Sequence, residues 1–349
     1  MTEPISQFEE RKRDHIALAL KKENEALGQT GLAEILLKHE ALPELDFKDI
    51  EIKTTILGEV RQTPFLVSSM TAGHAASKGI NTRIARACAV QGWLMGVGSQ
   101  RRELFDSEAK DEWRLLRASA PTVKLLGNLG LTQAIYTSTD KIKELVDTLE
   151  AIAMIIHLNP LQESLQPEGT PNFRGGLKRL TELSRELSVP VVVKETGCGF
   201  SIGTLRKLKE TGIAAVDVSG YGGTHWGRIE GQRSGNESVQ AEASLSFSNW
   251  GVNTRDCLMA AAEVSSNYEV WASGGIRSGL DAAKTVALGA KAIGFAKPML
   301  QAAMVGEDFL LKKMMVIEHE FKTALFCTGC QNPVEFFHKK VWKWQHQTT

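Results

Sequence analysis

The segment Ile155-Ile156-His157-Leu158-Asn159-Pro160-Leu161-Gln162-Glu163 begins with apolar, β-branched residues and ends in a cluster of polar side chains. Such a run predicts a short buried strand that leads directly into the polar cluster. In parallel α/β proteins, ligands bind at the carboxyl ends of the strands. The following stretch, 167–171, is rich in Pro and Gly and predicts a loop near the site rather than a helix. The segment therefore predicts a parallel α/β fold with a functional site at this strand end.

Eight apolar runs suited to buried parallel strands recur along the chain, separated by segments with helical periodicity. The predicted strands are 65–69, 94–98, 123–128, 154–157, 191–194, 215–219, 270–273 and 292–295. The predicted helices between them include 132–150, 173–187, 202–211, 254–265 and 280–288. Thr132 and Ser278 are predicted N-terminal caps, and Gly212 and Gly289 are predicted helix stops. Eight strand–helix units favour a (β/α)8 (TIM) barrel of the α/β class.

A doubly wound sheet is the main structural alternative. It would carry a Gly-x-Gly-x-x-Gly turn after the first strand, whereas this chain reads Met70-Thr71-Ala72-Gly73-His74 there. We therefore predict a single barrel domain over 1–349. Its parts are an N-terminal extension over 1–60, a barrel core over 61–300 and C-terminal helices over 301–349.

Four segments outside the regular units carry their own predictions. A helix is expected over 11–27, and a strand pair or barrel plug over 50–57. The segment 220–253 is rich in Gly, Ser and Arg and is expected to be a long structureless loop. We favour a lid there, because long loops in compact domains are usually functional and this one leaves the carboxyl end of the sixth strand. The tail 299–330 is expected to hold the final helix, extended by an extra helix.

Composition excludes several classes of protein. The 349 residues are 42% hydrophobic and carry a net charge of zero, which argues against a dedicated nucleic-acid-binding protein. Five cysteines without disulfide-framework spacing suggest a reduced, cytoplasmic protein. Cys327 and Cys330 form a Cys-x-x-Cys pair without a second pair, so a metal or redox role is disfavoured. No stretch reaches the roughly 18 apolar residues of a membrane span, and the start of the chain does not resemble a signal peptide.

The seventh and eighth predicted strands end in sequences suited to phosphate binding. The first reads Ser273-Gly274-Gly275-Ile276-Arg277, and the second reads Gly294-Phe295-Ala296-Lys297-Pro298. Glycines let the backbone approach a ligand closely, and backbone N–H groups can bind phosphate oxygens. The loops after strands seven and eight form the usual phosphate site of this barrel. The pair is typical of barrels that hold flavin mononucleotide (FMN), although a simple connecting turn is the alternative.

Lys194 ends the fifth predicted strand, and a lysine at a buried strand end needs an anionic partner. A place beside the pyrimidine edge of a flavin is one interpretation, and an ion pair with Glu195 or Glu163 is the other. Other predicted strands end in polar residues that a flavin would use, namely Ser99, Asn128 and Ser219.

Cationic residues suggest that a second anion binds near the flavin. Arg11 and Lys12 are adjacent, and Gln100 and Arg101 follow the second predicted strand. Arginine suits bidentate phosphate recognition, and lysine acts as a point charge. Glu163 is a candidate Mg²⁺ ligand, because Mg²⁺ often uses one or two carboxylates together with substrate phosphates. The alternatives are a solvated surface for the Arg-Lys pair and an ion pair for Glu163.

Several motifs together resemble the type 2, FMN-dependent isopentenyl diphosphate isomerase family. They are Arg-Lys-Arg-Asp-His-Ile from Arg11, Ser-Met-Thr-Ala-Gly from Ser69, Val-Gly-Ser-Gln-Arg from Val97, His-Leu-Asn-Pro-Leu-Gln-Glu from His157, Lys-Glu-Thr-Gly-Cys-Gly from Lys194, Asp-Val-Ser-Gly-Tyr-Gly-Gly-Thr from Asp217, and Ser-Gly-Gly-Ile-Arg from Ser273. The chain departs from the usual Met-Thr-Gly-Gly pattern at Ala72.

The resemblance implies a set of ligand contacts. For FMN they are Met70, Thr71, Ala72, Ser99, Asn128, Lys194, Ser219 and Thr224, with Gly274, Gly275, Arg277, Ala296 and Lys297 at the phosphate end. For the substrate they are Arg11, Lys12, Ser99, Gln100, Arg101, His157, Asn159 and Gln162. Glu163 would bind Mg²⁺.

The resemblance also implies that the double bond of isopentenyl diphosphate moves to give dimethylallyl diphosphate in isoprenoid biosynthesis, without net redox change. Reduced FMN, through its N5 atom, would then carry the acid–base chemistry, kept reduced by NADPH. Gln162 would face the hydrocarbon, and Glu230 is a second candidate for proton transfer, unless it pairs with Arg228 or Arg233. A homotetramer or homooctamer is implied.

Two other functions compete with this prediction. A 2-hydroxy acid oxidase would share the phosphate loop, but it carries a His closely followed by an Arg just after strand six. Here that stretch reads Ser219-Gly220-Tyr221-Gly222-Gly223-Thr224, and His225 falls too late. A non-catalytic flavin-binding protein would leave the polar cluster at 157–163 without a purpose, and buried unpaired polar groups are costly.

Overall fold

A computed structural model of the chain describes residues 5–70, 75–235, 237–264 and 267–345. Eight parallel strands close into a barrel in sequence order, and the last pairs with the first through Ile293 and Phe65. The strands are Phe65–Val67, Leu94–Gly96, Lys124–Gly130, Ala153–Leu158, Val191–Glu195, Ala215–Asp217, Glu269–Ala272 and Ala292–Phe295. The predicted (β/α)8 barrel and all eight predicted strands are confirmed.

The helices surround the barrel and continue beyond it at both ends of the chain. The α-helices are Ile5–Leu20, Ala75–Gln91, Lys110–Ser119, Leu131–Tyr136, Thr139–Leu149, Pro160–Leu165, Gly176–Glu186, Ile202–Lys209, Trp226–Arg233, Val239–Ser246, Thr254–Val264, Gly279–Ala287, Lys297–Val305, Glu307–Phe326 and Pro333–His338. Short 3-10 helices span Lys22–Asn24, Leu32–Glu34, Phe47–Asp49, Gln100–Leu104 and Ser107–Ala109.

Two small antiparallel sheets lie outside the barrel. Thr54–Ile56 pairs with Glu59–Arg61, so a strand pair forms here as expected, but its second strand lies beyond the predicted range 50–57. Ile35–Leu37 pairs with Trp342–Trp344, and the sequence did not predict this sheet. The two strands stand far apart in the chain, and neither has more than three residues. A pairing of such short, distant strands leaves little periodic signal.

The apolar core forms two layers. One layer lies between the strands and the helices, and the second fills the inside of the barrel. The inner layer comprises Ile56, Leu66, Leu94, Leu126, Ala153, Ile155, Val192, Ala215, Trp271 and Ala292. Ile56 comes from the hairpin rather than from a barrel strand, so the hairpin closes one end of the barrel as a plug. The donation from Leu57 N to the Glu269 carboxylate, at 3.0 Å, fixes the hairpin to the seventh strand.

We expect Ile56→Ala to lower the free energy of unfolding by about 2–4 kcal/mol, because it leaves a cavity at a fully buried position. Val60→Ala in the same hairpin is the matched control. Val60 is 71% exposed, so its loss is expected to cost less than about 0.5 kcal/mol. Urea unfolding of the two variants measures the difference, and equal stabilities would contradict the plug.

Several predicted elements differ from the structure. The helix expected over 132–150 is divided, because Ser138 caps a new helix by accepting from Lys141 N. Thr132 therefore lies inside a helix rather than at its cap. The segment 220–253 is not structureless and contains two helices, capped by His225 and Ser238. These caps supply hydrogen-bond acceptors that the apolar pattern does not reveal.

The predicted cap Ser278 and the predicted stops Gly212 and Gly289 are confirmed, whereas the bounds 11–27 predicted for the N-terminal helix are wrong. Ser278 caps its helix, and the predicted stops Gly212 and Gly289 have φ of 77° and 104°. The N-terminal helix ends at Leu20 instead of Leu27. None of the helices in the described part of the chain is long and apolar enough to cross a membrane. All five cysteines are free.

Candidate active site

A cavity of about 690 Å³ lies at the carboxyl end of the barrel strands. Most of the predicted site residues line it. They are Arg11, Lys12, Met70, Ser99, Arg101, Asn128, His157, Asn159, Gln162, Glu163, Lys194, Ser219, Thr224, Gly274, Gly275, Arg277, Ala296 and Lys297. A volume of this size is typical of a site for a cofactor or a small ligand.

Four predicted residues stand apart from this lining. Thr71 and Ala72 lie outside the described residues. Gln100 is buried behind the cavity, where its amide donates to Glu103 and to Leu145 O and accepts from Asn128 N. Glu230 is also fully buried and does not line the cavity, but it contacts Gln162 and His15, which do.

Lys194 forms a buried ion pair at the floor of the cavity. Its Nζ lies 2.8 Å from Asp217 Oδ2 and donates to Ser273 Oγ, also at 2.8 Å. Ser273 in turn donates to Asp217 Oδ1 at 2.6 Å. The anionic partner is thus Asp217, and the alternative partners Glu195 and Glu163 are wrong. The ion pair holds the lysine head at the cavity wall, where it can meet an anionic edge of a ligand.

The glycines of the seventh loop pack closely against the backbone of the loop after the sixth strand. Gly274 and Gly275 have φ of 93° and 73°, which side chains other than glycine adopt with strain. A Cβ on Gly223 would lie 2.7 Å from Gly275 N, so three glycines meet closely here. Among the described residues, the buried hydroxyls of Ser68 and Ser69 have no hydrogen-bond partner. Both line the cavity, and such buried groups fit a polar ligand.

His157 is held as a neutral imidazole. Its Nδ1 lies 2.9 Å from Asn128 Oδ1, and Asn128 Nδ2 donates to Val97 O. That second bond fixes the amide oxygen toward the ring, so Nδ1 carries the proton. Burial, together with the positive charges of Lys12 and Lys194, lowers the pKa of His157 to about 3. In the ligand-free protein Nε2 is therefore a hydrogen-bond acceptor rather than a donor.

We expect His157 to stay unprotonated between pH 8 and about pH 4 in the flavin-free and substrate-free protein. The ordinary pKa of a histidine is 6.5, whereas the pKa of His157 is about 3. The stability that the neutral His157 contributes is therefore complete above about pH 6.5 and is lost as the pH falls from about 6.5 toward 3. Nitrogen-15 shifts of the imidazole measure the titration. A midpoint near 6.5 would contradict the buried, neutral state.

Glu163 is a buried carboxylate with few partners. Its Oε1 accepts from Asn159 Nδ2 at 3.2 Å, and its Oε2 accepts from Thr170 N at 2.7 Å. The ion-pair alternative for Glu163 finds no support in the salt bridges of the described residues. No group of three or more acidic, His or Cys side chains in the described ranges could hold a metal ion. A metal here would need other ligands, such as phosphate oxygens and water.

Gln162 is oriented by a buried charged network. Its Nε2 donates to Glu230 Oε1 at 2.8 Å, and His15 Nε2 lies 2.9 Å from the same oxygen. Arg233 Nη1 pairs with Glu230 Oε2 at 2.5 Å. The paired interpretation of Glu230 is therefore confirmed for Arg233, whereas Arg228 donates its Nε to Glu23 O.

Glu230 is ionised at neutral pH. Burial alone would raise its pKa, but His15, Arg233 and the Gln162 amide outweigh this and hold the pKa at about 2. Burial, Lys12 and Arg233 lower the pKa of His15. Arg233, which stays protonated, is the permanent counterion of Glu230. A carboxylate with so low a pKa is a poor proton donor at neutral pH.

The loop at 167–171 joins this network, as expected of a loop near the site. Glu168 Oε1 pairs with Arg233 Nη2 at 2.7 Å and lies 3.7 Å from Arg11 Nε. Arg11 thus contacts the same carboxylate that pairs with Arg233.

Relatives of known name match almost the whole chain. A protein of Bdellovibrio bacteriovorus named isopentenyl-diphosphate delta-isomerase is 49% identical over 345 residues, covering 98% of this chain and 99% of the relative. A protein of the same name from Legionella pneumophila (strain Lens) is 52% identical, covering 94% and 96%. One from Rickettsia prowazekii is 40% identical, covering 92% and 93%.

The chain belongs to the isopentenyl-diphosphate delta-isomerase family. A family model described as FMN-dependent dehydrogenase also matches residues 168–343, which places this isomerase-family chain in the FMN-dependent type. Among solved structures, a flavocytochrome b2 variant with pyruvate bound has a TM-score of 0.70 at 19% identity, covering 99% of this chain and 86% of that one. A mandelate oxidase variant has a TM-score of 0.66 at 20% identity, covering 94% and 97%. Likeness at this identity shows the shared barrel fold alone.

His225 separates the isomerase-family chain from a hydroxy acid oxidase. It is fully buried, its Nδ1 accepts from Arg228 N at 3.2 Å, and it caps the helix Trp226–Arg233. His225 does not line the cavity. The structure thus gives it a structural task and not that of a base facing a substrate.

The sequence did not predict several residues of the site. Ser68, Glu25 and Trp226 line the cavity, and His15 contacts both Glu230 and the Trp226 ring, with ring centroids 5.0 Å apart. His15 could have been found from its position four residues after Arg11, on the same face of a helix. Glu25 left no such signal.

Proposed function

We propose that this chain interconverts isopentenyl diphosphate and dimethylallyl diphosphate, with reduced FMN and Mg²⁺. One observation carries the proposal. A single cavity joins a glycine-lined end, with Arg277 and Lys297, to an end with the cations Arg11 and Lys12 and the buried carboxylate of Glu163. A flavin phosphate and a substrate diphosphate need two such anion-binding ends on one cavity.

The residues present fit FMN. Arg277 and Lys297 line the cavity, and the buried hydroxyls of Ser68 and Ser69 have no hydrogen-bond partner among the described residues. We infer that Gly274, Gly275, Arg277, Ala296 and Lys297 hold the phosphate end. The ring would lie against Met70, Thr71, Ala72, Ser99, Asn128, Lys194, Ser219 and Thr224. When bound, reduced FMN would supply the proton donor and acceptor at ring N5.

The substrate diphosphate would lie among Arg11, Lys12, Arg101, His157 and Asn159. Ser99 would contribute from the second strand, and Gln100 would act from behind by fixing Asn128. The neutral His157 could share a proton with a diphosphate oxygen once this anion raises its pKa. Glu163 would hold Mg²⁺ together with the diphosphate oxygens, which keeps the diphosphate from leaving.

Gln162 would face the hydrocarbon part of the substrate. Its amide is fixed by Glu230, so we infer that Glu230 orients Gln162 rather than exchanging a proton. Trp226 and Ile16 line the cavity and would help exclude water from a cationic transition state.

The reaction moves a proton onto the alkene and removes another, so it uses no net electrons. A reductant is still needed to keep the flavin reduced, and we infer NADPH for this task. We also infer a role in isoprenoid biosynthesis, assembly as a homotetramer or homooctamer, and a cytoplasmic location.

An anaerobic assay tests the function. The purified protein is incubated with isopentenyl diphosphate, FMN, Mg²⁺ and a chemical reductant, and formation of dimethylallyl diphosphate is followed. We expect product only when the FMN is reduced. The absence of product with bound, reduced FMN would overturn the isomerase function, and reduction of the flavin by a 2-hydroxy acid would point to an oxidase.

A further inference from the structure

Glu25 lies between the two cations at the phosphate end of the cavity. Its Oε1 is 2.9 Å from Lys297 Nζ, and its Oε2 is 2.7 Å from Arg277 Nη2. Glu25 lines the same cavity as both cations. A carboxylate that spans two cations occupies the donors that a phosphate would use.

The backbone around Glu25 is fixed, so this position does not depend on a freely moving side chain. Ala26 N donates to Gly223 O at 2.8 Å, and His225 N donates to Asn24 O at 2.8 Å. These two bonds attach the segment 24–26 to the loop after the sixth strand. Glu25 thus projects from an anchored segment toward the phosphate end.

Most of the side-chain N–H groups of Arg277 and Lys297 already donate hydrogen bonds within the protein. Arg277 gives Nη1 to Gly222 O and Gly275 O and gives Nη2 to Glu25. Lys297 Nζ donates to Lys21 O and to Glu25. An ammonium group has three N–H donors, so Lys297 keeps one for another ligand. A phosphate that approaches these cations meets a carboxylate of like charge.

Glu25 is ionised at neutral pH. Burial alone would raise its pKa, but its hydrogen bond with Lys297 and the charges of Arg277 and Lys297 lower it below the ordinary value. Its negative charge is therefore present when a cofactor arrives.

We propose that Glu25 is a built-in competitor for the cofactor phosphate, which pairs with Arg277 and Lys297 and must give up these cations when FMN binds. The proposal rests on the flavin site proposed above. It makes Glu25 a residue that weakens FMN binding and reduces the preference for FMN over riboflavin, which has no phosphate. Glu25 also restrains the two cations and the anchored segment until the cofactor binds.

Flavin titrations of the full-length, flavin-free protein test the proposal, with flavin fluorescence as the readout. Three proteins are compared: the parent, Glu25→Gln, and Glu23→Gln as the matched control. Glu23 lies two residues away, is 60% exposed and pairs with Lys21, so the control removes the same charge without touching the two cations. Glutamine keeps the size of the Glu25 side chain and one acceptor.

We expect Glu25→Gln to bind FMN about tenfold more tightly, because two partly exposed ion pairs no longer have to be broken. Riboflavin affinity should stay within about twofold, and Glu23→Gln should match the parent for both flavins. Equal or weaker FMN binding by Glu25→Gln would contradict the proposal, since Glu25 would then either support the bound phosphate or have no effect on it. If none of the three proteins bound FMN, the proposed flavin site would be wrong, and so would the proposal that Glu25 competes with the FMN phosphate.

Discussion

Glu163→Gln should lower the rate of isomerisation by about a hundredfold to a thousandfold while FMN binding stays unchanged. The carboxylate is buried beside the cationic end of the cavity, and its Oε2 accepts from Thr170 N. Glutamine keeps the shape but not the charge, so Mg²⁺ and the diphosphate would lose the electrostatic anchor proposed for them. The measurement is kcat and the Mg²⁺ dependence of the assay, with flavin fluorescence for FMN affinity.

The control for Glu163→Gln is Glu242→Gln, which removes the same charge from an exposed position on the helix Val239–Ser246. It should retain parent activity. Parent-like turnover of Glu163→Gln at limiting Mg²⁺ would remove Glu163 from the metal site. A parallel loss of FMN binding would mean that the substitution disturbs the barrel mouth as a whole.

Glu230→Gln should lower the free energy of unfolding by about 3 kcal/mol and lower kcat by about tenfold to a hundredfold. Glu230 is 0% exposed and pairs with Arg233, and removing one partner of a buried ion pair is destabilising, even though Arg233 keeps its pair with Glu168. The Gln amide would direct an N–H group toward the Arg233 donors, and the shift would misplace Gln162. Urea unfolding and steady-state kinetics measure the two effects.

A double-mutant cycle separates pairing from catalysis. Arg233→Met combined with Glu230→Gln should regain much of the stability lost by the single change, because both charges are gone, whereas kcat should stay low. An interaction energy below about 0.5 kcal/mol would contradict the buried pair. Parent-like kcat in Glu230→Gln would show that Gln162 needs no charged partner.

The barrel could be predicted from the sequence because each strand has a recognisable local sequence pattern. Runs such as Val191-Val192-Val193 are apolar and β-branched on both faces, as a strand covered by helices requires. Parallel strands that close into a barrel bring their carboxyl ends together at one face, whatever the conformation of the loops. Polar residues at these ends, such as Asn128 and Lys194, could therefore be assigned to one site by their positions in the sequence.

The partners of those residues could not be predicted, because they depend on packing between distant segments. Glu25 meets Arg277 across 252 positions of the chain, and Asp217 meets Lys194 from the neighbouring strand. The helices inside 220–253 were missed for a related reason. Their sequences lack a clear apolar period, and they form where end caps and packing against Pro160–Leu165 favour them.

The sheet of Ile35–Leu37 and Trp342–Trp344 has a consequence for the order in which the molecule is completed during synthesis. Lys38 N donates to Val341 O, and Gln345 N donates to Glu34 O, so the pairing extends past both strands. The ribosome makes residues 342–344 long after the N-terminal arm that carries Arg11 and Glu25. Until residues 342–344 are made, Ile35–Leu37 has no partner strand. A nascent chain can therefore close its barrel before the N-terminal segment is held by this sheet. A fusion partner placed directly after residue 345 would disturb the sheet of Ile35–Leu37 and Trp342–Trp344 rather than the barrel.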